Sequence, residues 1–229
     1  MGELEQKFAA AFLTEGRWIL YFKGLGVTLG IAVLAAILGV IFGTVLGIMK
    51  LSFREDGKKT LWNILATAYV DVIRGTPSVL QLLIMWFIVF ATWNNGVAVA
   101  SISFGLNSAA YVSEIVRGGI LAVDVGQMEA GRSLGLSKAM TMRYIILPQA
   151  LKNMVPPLGN EFITLLKETA IVGYVSLTDL TRAANQIASR TYEAFMPLIG
   201  TAVIYFVVIK ILTLLLGVLE RRLRESDQR

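Results

Sequence analysis

The sequence predicts an all-α polytopic membrane protein, a single domain over residues 1–229 with five transmembrane helices. Three observations predict this fold class. Of the 229 residues, 55% are hydrophobic and only 16% are charged, whereas a soluble domain is roughly 45–50% apolar and about 25% charged. Residues 24–49 and 75–113 contain no charged side chain, and a spanning helix needs about 20 apolar residues. Lys and Arg, finally, are concentrated in alternate loops.

The distribution of basic residues predicts the orientation of the chain. The five predicted spans cover residues about 23–49, 62–93, 97–120, 154–175 and 195–219. Twelve Lys and Arg residues fall in the loops on one side and five on the other, and cytoplasmic loops are enriched in these residues. The C-terminus and the loop at about 124–152 are therefore predicted to be cytoplasmic, with the N-terminus outside. The twelve are Lys50, Arg54, Lys58, Lys59, Arg132, Lys138, Arg143, Lys152, Arg221, Arg222, Arg224 and Arg229.

The first span carries glycines four residues apart. They form two sets, one of Gly26 and Gly30 and one of Gly39, Gly43 and Gly47. Small residues at this spacing make a groove that lets a second helix approach closely in lipid. Two interpretations are open, namely packing within the chain and contact with a second subunit.

The second span is predicted to be broken at Arg74-Gly75-Thr76-Pro77. Thr76 suits the N-cap of a new helix and Pro77 its first residue. Irregular backbone at membrane depth is tolerated where it is buried in protein or lines a cavity. The break therefore marks either the translocation path or a simple helix kink.

The predicted cytoplasmic loop has the signals of two short helices. Asp124 and Gln127 fit a capping box that starts a helix over 125–134. Gly135 suits the position after that helix, where a positive φ is needed. Ser137 is predicted to cap a second helix at about 138–147, which must stop or bend at Pro148. The loop is thus expected to form a rigid knob.

The segment Glu129–Pro148, EAGRSLGLSKAMTMRYIILP, resembles the EAA loop of the membrane subunits of ABC importers. Gly131 departs from that pattern by replacing the usual second Ala, and Thr169-Ala170 replaces a Thr-Ser pair. Further blocks between about 70 and 172 resemble the polar amino-acid permease family. These blocks are RGTP at 74–77, EI-x-RG at 114–118, GQ-x-EA at 126–130, LPQA at 147–150, PPLGN at 156–160 and KETA at 167–170.

The resemblance implies the permease subunit of an ATP-driven importer in the inner membrane of a prokaryote. Its implied partners are two cytoplasmic ABC ATPases, a second permease that is identical or paralogous, and an extracytoplasmic amino-acid-binding protein. ATP and magnesium would bind the ATPase, and this chain would hold no cofactor or metal. Transport would proceed by alternating access. The residues expected to contact the ATPase are Glu129, Ala130, Gly131, Gly135, Leu147 and Pro148.

Charged residues within the predicted spans are costly, about 2.5–3.5 kcal/mol each at the bilayer centre, and usually face a cavity or pair with each other. Asp71 with Arg74, and Glu114 with Arg117, are spaced for local ion pairs. Glu161 has no Lys or Arg three or four residues away. It either receives the substrate or pairs with an arginine of a neighbouring helix, Arg74 or Arg117.

The substrate hypothesis is a cavity that receives the amino or guanidinium group of arginine, lysine or histidine, with glutamine left open. Thr164 shares a helix face with Glu161. The residues predicted to line the cavity are Glu161, Asn160, Glu114, Asp71 and Thr164. For Lys210, in the fifth span, snorkelling and pairing with an acid on another helix are both open.

The composition limits the other function classes. The chain contains no Cys and no His, which excludes disulfides, thiol chemistry and His-based catalysis. It has no nucleotide-binding motif, and the basic residues behind its net charge of +5 follow membrane topology, so nucleic-acid binding is not indicated. The N-terminus lacks the basic start of a signal peptide, so no cleavage is expected.

An ion- or proton-coupled secondary transporter is the alternative function, although two similar halves are missing. A membrane enzyme fits less well.

Overall fold

A computed structural model describes residues 2–52 and 58–225, and their helical structure confirms the all-α fold class. Arg54 and Arg229, which contribute to the charge asymmetry, lie outside the described residues. Short π-helical or 3-10 turns adjoin several helices. The α-helices in chain order are α1 (Glu3–Phe8), α2 (Trp18–Lys50), α3 (Leu61–Arg74), α4 (Ser78–Ile84), α5 (Gly96–Leu121), α6 (Val125–Ser133), α7 (Lys138–Thr141), α8 (Leu147–Glu168), α9 (Leu180–Thr191) and α10 (Phe195–Glu225).

Three helices of the described part, α2, α5 and α10, are long and apolar enough to cross a membrane. The segments Leu61–Arg74 and Ser78–Val89 add a fourth span if they are one broken span. Helix α8 has 22 residues but includes polar side chains such as Asn160 and Glu161. It ends at Glu168, where a 3-10 turn begins. The five-span topology stays a prediction.

The break in the second predicted span is present, but its cap is not the predicted one. Helix α3 ends at Arg74 and α4 starts at Ser78. The Thr76 hydroxyl donates back to the Val72 carbonyl at 2.9 Å, which closes the preceding helix instead of starting the next. Pro77 has an extended ψ of 135° and is itself the N-cap residue. The assignment of Thr76 as N-cap and Pro77 as first helical residue was therefore wrong by one position.

The chain divides into two compact units, each assembled from three stretches of sequence. The first comprises Met1–Ala36, Pro77–Gly105 and Ile163–Leu214. One of its apolar clusters joins buried residues of α2, α4, α5 and α8 with the 3-10 turn. Another joins the start of α2 to α9. The residues of the first cluster are Ile31, Ala35, Leu82, Ala100, Phe104, Leu165, Val172 and Val175.

The second unit comprises Ile37–Thr76, Leu106–Phe162 and Leu215–Arg229. Its apolar cluster joins the end of α5 to the π turn that follows α7 and to α8. The buried residues of the cluster are Val112, Val116, Val123, Ile146, Ala150 and Met154. The connection that contains α6 and α7 is thereby attached to two long helices.

Of the two sets of glycines in α2, one packs against another helix of the described chain and the other does not. A Cβ on Gly39 would lie 2.8 Å from the Ser108 Oγ, and one on Gly47 would lie 2.9 Å from the Ser113 carbonyl oxygen. Gly43 is equally close to α5. The interpretation as packing within the chain is therefore confirmed for Gly39, Gly43 and Gly47. A Cβ on Gly26 or Gly30 would meet no described atom within 4 Å.

Candidate functional site

Asp124 is the N-cap residue of α6, as predicted. The Asp124 carboxylate accepts a hydrogen bond from the Gly126 N–H at 2.6 Å, which satisfies one of the open N–H groups of the first turn. The Gln127 N–H bonds the Asp124 carbonyl at 3.0 Å. The N-cap prediction is confirmed, whereas the reciprocal capping box is not formed in this part of the described chain.

A tight turn closes α6 at Gly135, as predicted. Gly135 has a φ of +83°, in the region that favours glycine. Its N–H donates to the Arg132 carbonyl at 3.0 Å, and the Leu136 N–H donates to the Gly131 carbonyl at 3.1 Å. These two bonds form a Schellman motif, which satisfies the last carbonyls of a helix. The turn is therefore held by backbone geometry.

The second short helix begins as predicted but does not end at Pro148. The Ser137 Oγ accepts from the Met140 N–H at 3.2 Å, which confirms the cap. Beyond α7, a π turn over Met142–Ile146 leads directly into α8. Pro148 falls in the first turn of α8, just after the hydrogen-bond pattern has changed, so its missing N–H does not stop the helix. Of the two predicted outcomes at Pro148, the stop was wrong, and the bend stays a prediction.

Gly131 is the contact point between the two short helices. It is buried, and a Cβ there would lie 2.5 Å from the Thr141 Cγ2 and 2.9 Å from its Oγ1. The Thr141 hydroxyl is fixed by a bond to the Ser137 carbonyl at 3.1 Å. The glycine that departs from the EAA pattern thus has a local packing reason. Other residues predicted to contact an ATPase are exposed, namely Glu129, Ala130, Gly135, Leu147 and Pro148.

We expect Gly131→Ala to destabilise the crossing of the two short helices by about 1–3 kcal/mol, the usual range for overpacking. The thermal midpoint of the purified protein should fall, and amide hydrogen exchange in α6 should accelerate. A second substitution, Thr141→Ala, removes the obstructing atoms and should restore both values. Gly118→Ala is the matched control because a Cβ there meets no described atom within 4 Å. Equal behaviour of the Gly131 and Gly118 variants would contradict the contact.

Two apolar side chains at opposite ends of α6 were missed as site residues from the sequence. Val125 is 72% exposed and Leu134 is 81% exposed. Apolar residues in a short amphipathic helix usually lie on its buried face. The sequence therefore gave no reason to expect that Val125 and Leu134 are exposed. Both side chains are therefore accessible to another protein.

The structure holds Glu161 by a hydrogen bond from another helix. The buried Ser108 Oγ donates to the Glu161 Oε1 at 2.7 Å. Ser108 can occupy this position because Gly39 leaves room beside it. The two arginines that were the alternative partners of Glu161 have other contacts, Arg117 with Glu114 and Arg74 with the Tyr111 ring. The sequence analysis did not single out Ser108, although polar residues inside an apolar helix were its signal.

Glu114 lies in a local network of two ion pairs. Its Oε2 accepts from the Arg117 Nε at 2.9 Å, and its Oε1 pairs with the Lys50 ammonium group. The Lys50 carbonyl accepts from the Asn63 side-chain amide. The ends of α2, α3 and α5 are joined through these contacts. The predicted pair with Arg117 is confirmed, and the carboxylate is engaged by cations of its own chain.

Asp71 and Arg74 do not form the predicted pair in the described part of the chain. The Arg74 guanidinium lies over the Tyr111 ring, 5.3 Å from its centroid. A cation over an aromatic face is attracted by the ring's negative potential, and this contact replaces the ion pair. The Asp71 side chain is exposed.

The remaining predicted positions lie on the surface of the chain. Asn160 and Thr164 on α8 are exposed, and so is Lys210 on α10. Glu161 is half-buried. For Lys210, snorkelling and pairing with an acid on another helix both stay open, because no contact of its side chain in the described residues supports either.

Comparison with known proteins supplies independent findings. Residues 39–225 match the family model described as "Binding-protein-dependent transport system inner membrane component". The chain is 44% identical over 211 residues to the arginine transport system permease protein ArtQ of Bacillus subtilis (strain 168), covering 90% of this chain and 93% of that protein. It is 38% identical over 208 residues to a putative glutamine transport system permease protein, GlnP, of Rickettsia bellii (strain RML369-C), covering 88% and 91%.

A solved structure described as an amino acid ABC transporter with histidines is also similar. The match has a TM-score of 0.81 and 45% sequence identity, and it covers 89% of this chain and 94% of that chain.

Proposed function

Because this chain belongs to the family of binding-protein-dependent transport system inner membrane components, and is the permease subunit of an amino-acid ABC importer, we propose that it carries basic amino acids. The family implies an ATPase and a binding protein as partners, and ATP hydrolysis belongs to the ATPase. The substrate class and the way in which the partners drive transport are the proposed parts.

The observation that carries the substrate class is the carboxylate of Glu161. It accepts from Ser108 on one oxygen and lies on α8, which overlaps the predicted fourth span. A carboxylate attracts a cationic group, because hydrogen bonds to charged groups are worth about 1.5–3 kcal/mol. An arginine, lysine or histidine side chain offers such a group.

Asn160 and Asp71 are proposed as further contacts. Both side chains are exposed, and their oxygens can accept from an amino or guanidinium group. Thr164 remains a predicted contact on the same helix. Glu114 is given a structural role instead, because Lys50 and Arg117 already engage its carboxylate.

The loop from α6 to the start of α8 is proposed to couple this chain to the ATPase. Its support is a capped helix, a Schellman turn and a buried crossing at Gly131. Such a connection transmits a push as one piece. Leu134 and Val125 provide exposed apolar surface for the contact, with Glu129 and Ala130 beside them.

The proposed mechanism is alternating access. ATP and magnesium bind between two ATPase subunits, whose closure moves two coupling loops, one from each of two permeases. A bound amino acid shifts the equilibrium between inward- and outward-open states only through its different affinity for them. The proposed topology has five spans, the N-terminus outside and the C-terminus inside the inner membrane of a prokaryote. The second permease is either a copy of this chain or a paralogue.

Stimulation of ATP hydrolysis across a set of amino acids tests the substrate class. The purified complex of permease, ATPase and cognate binding protein in nanodiscs receives arginine, lysine, histidine, glutamine or glutamate in turn. We expect the three basic amino acids to stimulate hydrolysis at concentrations at least tenfold lower than glutamine, and glutamate to have no effect. Equal stimulation by glutamine, the substrate that the name of the GlnP relative states, would contradict the basic class.

A further inference from the structure

A short helical segment precedes the first long apolar helix. Helix α1 continues directly as a π turn over Ala9–Leu13. Glu15 and Gly16 then have positive φ values of +54° and +66°, a conformation that ends a right-handed helix. Residues 3–13, called the N-terminal segment below, are therefore a separate helical piece beside the start of α2.

Side-chain packing fixes the N-terminal segment at the starts of α2 and α10. The Phe12 ring stacks on the Tyr21 ring of α2, with 5.2 Å between the ring centroids. A Cβ on Gly200 of α10 would lie 2.2 Å from the Phe12 Cζ, so glycine leaves room for this ring. The Arg17 guanidinium donates to the Ala10 carbonyl and ties the segment to the turn before α2.

The two flanks of the N-terminal segment differ in polarity. One flank forms an apolar groove of about 420 Å³ with the start of α10. The other flank, which carries Gln6 and Lys7, lines a second groove together with Thr191 and Glu193 near the end of α9. The segment is therefore amphipathic in its folded surroundings. The large apolar side chains that line the first groove are Leu4, Phe8, Leu13 and Met196.

The apolar groove is open, and its side chains are exposed. Leu4 is 69% exposed, Phe8 51% and Leu13 62%. Trp18 and Phe195, at the starts of α2 and α10, are exposed as well. A contiguous apolar surface of this kind indicates contact with a membrane or with another protein.

We propose that phospholipid acyl chains of the surrounding bilayer occupy this groove, so that the N-terminal segment lies in the membrane interface. The groove is continuous with α10, which is apolar enough to cross a membrane and whose most apolar stretch is not buried by the described chain. Interfacial amphipathic helices place their apolar face among the acyl chains in the same way. The inference rests on the membrane location that the family establishes and not on the proposed substrate.

The charges of the N-terminal segment favour the acyl chain over the headgroup as the bound part of the lipid. Interfacial helices that attract anionic lipids are rich in Lys and Arg on their polar face. Residues 3–13 contain one Lys, no Arg and two Glu, and Lys7 is paired with Glu3 at 2.6 Å. Occupation of the groove should therefore not depend on anionic headgroups.

Site-specific fluorescence quenching tests the proposal. The chain contains no cysteine, so a bimane label can be attached to one introduced thiol in the full chain. Leu4→Cys and Leu13→Cys place the label in the groove, and Gln6→Cys, the matched control, places it on the polar flank. In phosphatidylcholine nanodiscs that contain acyl-chain nitroxide lipid, we expect at least threefold stronger quenching at positions 4 and 13 than at position 6. The water-soluble quencher iodide should give the reverse order.

A variant on the α10 side tests the groove itself. In the labelled Leu4→Cys chain, Met196→Asp should lower nitroxide quenching at least twofold, because a carboxylate disfavours an acyl chain beside it. Iodide quenching of the labelled Gln6→Cys chain should not change with Met196→Asp, which shows that the segment keeps its fold. Unchanged nitroxide quenching in the Met196 variant means that lipid does not occupy the groove, and overturns the proposal.

Three further outcomes also overturn the proposal. The first is equal nitroxide quenching on the two flanks of the segment. The second is protection of positions 4 and 13 from both quenchers, because a second copy of the chain or another protein then covers the groove. The third is nitroxide quenching that appears only when phosphatidylglycerol is added, because headgroup charge and not the acyl chain then causes the contact.

Discussion

Glu161→Gln is expected to weaken binding of arginine by about 10- to 100-fold, the loss of one charge-assisted hydrogen bond of about 1.5–3 kcal/mol. Glutamine has nearly the same size, and its side-chain carbonyl can still accept from the Ser108 hydroxyl, which lies 2.7 Å from the Glu161 Oε1. The fold should therefore persist. Calorimetric titration of the purified transporter with arginine measures the change.

The charge of the ligand provides one control and Glu114 provides another. Citrulline has the shape of arginine without its positive charge, so its affinity should differ little between wild type and Glu161→Gln. Glu114→Gln breaks the contacts to Lys50 and Arg117, so it should lower the thermal midpoint and spare arginine affinity. Wild-type affinity for arginine in the Glu161 variant would show that this carboxylate does not receive the substrate.

Gly135→Pro is expected to lower arginine-stimulated ATP hydrolysis at least tenfold while the membrane-spanning fold persists. Proline fixes φ near −65°, whereas Gly135 has a φ of +83°. Proline also lacks the N–H that Gly135 donates to Arg132. Proline also pushes the preceding residue toward extended backbone with ψ of about +120° to +160°, whereas Leu134 has φ −80° and ψ 9°. Three independent conflicts meet at one position, so the turn cannot form.

Gly135→Asn tests whether shape is the cause, because asparagine tolerates positive φ. It should retain most of the coupled hydrolysis.

Leu134→Asp leaves the turn intact and changes only an exposed side chain, so it should reduce hydrolysis by weakening the contact with the ATPase. Co-purification of the ATPase distinguishes the detached from the uncoupled state. Normal stimulation in both Gly135→Pro and Leu134→Asp would exclude this loop from coupling.

Local signals in the sequence predicted much of the coupling loop correctly. Asp124, Gly135 and Ser137 each act through backbone geometry within a few residues, and the structure has all three in the predicted roles. The break near Gly75 was also predicted. The N-cap of the helix after it depended on whether the Thr76 hydroxyl bonds to that helix or to the preceding one, and it bonds to the preceding one. The stop at Pro148 was wrong because a π turn upstream altered the hydrogen-bond pattern before the proline is reached.

Contacts between distant positions could not be predicted from single residues. The Ser108 bond to Glu161 joins residues 53 positions apart, and the Lys50 pair with Glu114 joins residues 64 apart. Arg74 had a local partner in Asp71 by spacing, yet a ring on another helix took its place. The same is true of Gly131, whose small size is explained by the Thr141 and Ile145 side chains opposite it. Periodicity identifies helices, whereas partner choice depends on how they pack.

The central claim is that an ATPase drives arginine import through this permease. Its most direct test is uptake of radiolabelled arginine into proteoliposomes that contain the permease and ATPase, with the binding protein on the outside. ATP trapped inside should give uptake at least tenfold above that with a non-hydrolysable analogue, with no effect of dissipating proton and sodium gradients. Equal uptake without ATP, or uptake that collapses with an ion gradient, would contradict the account and favour an ion-coupled transporter.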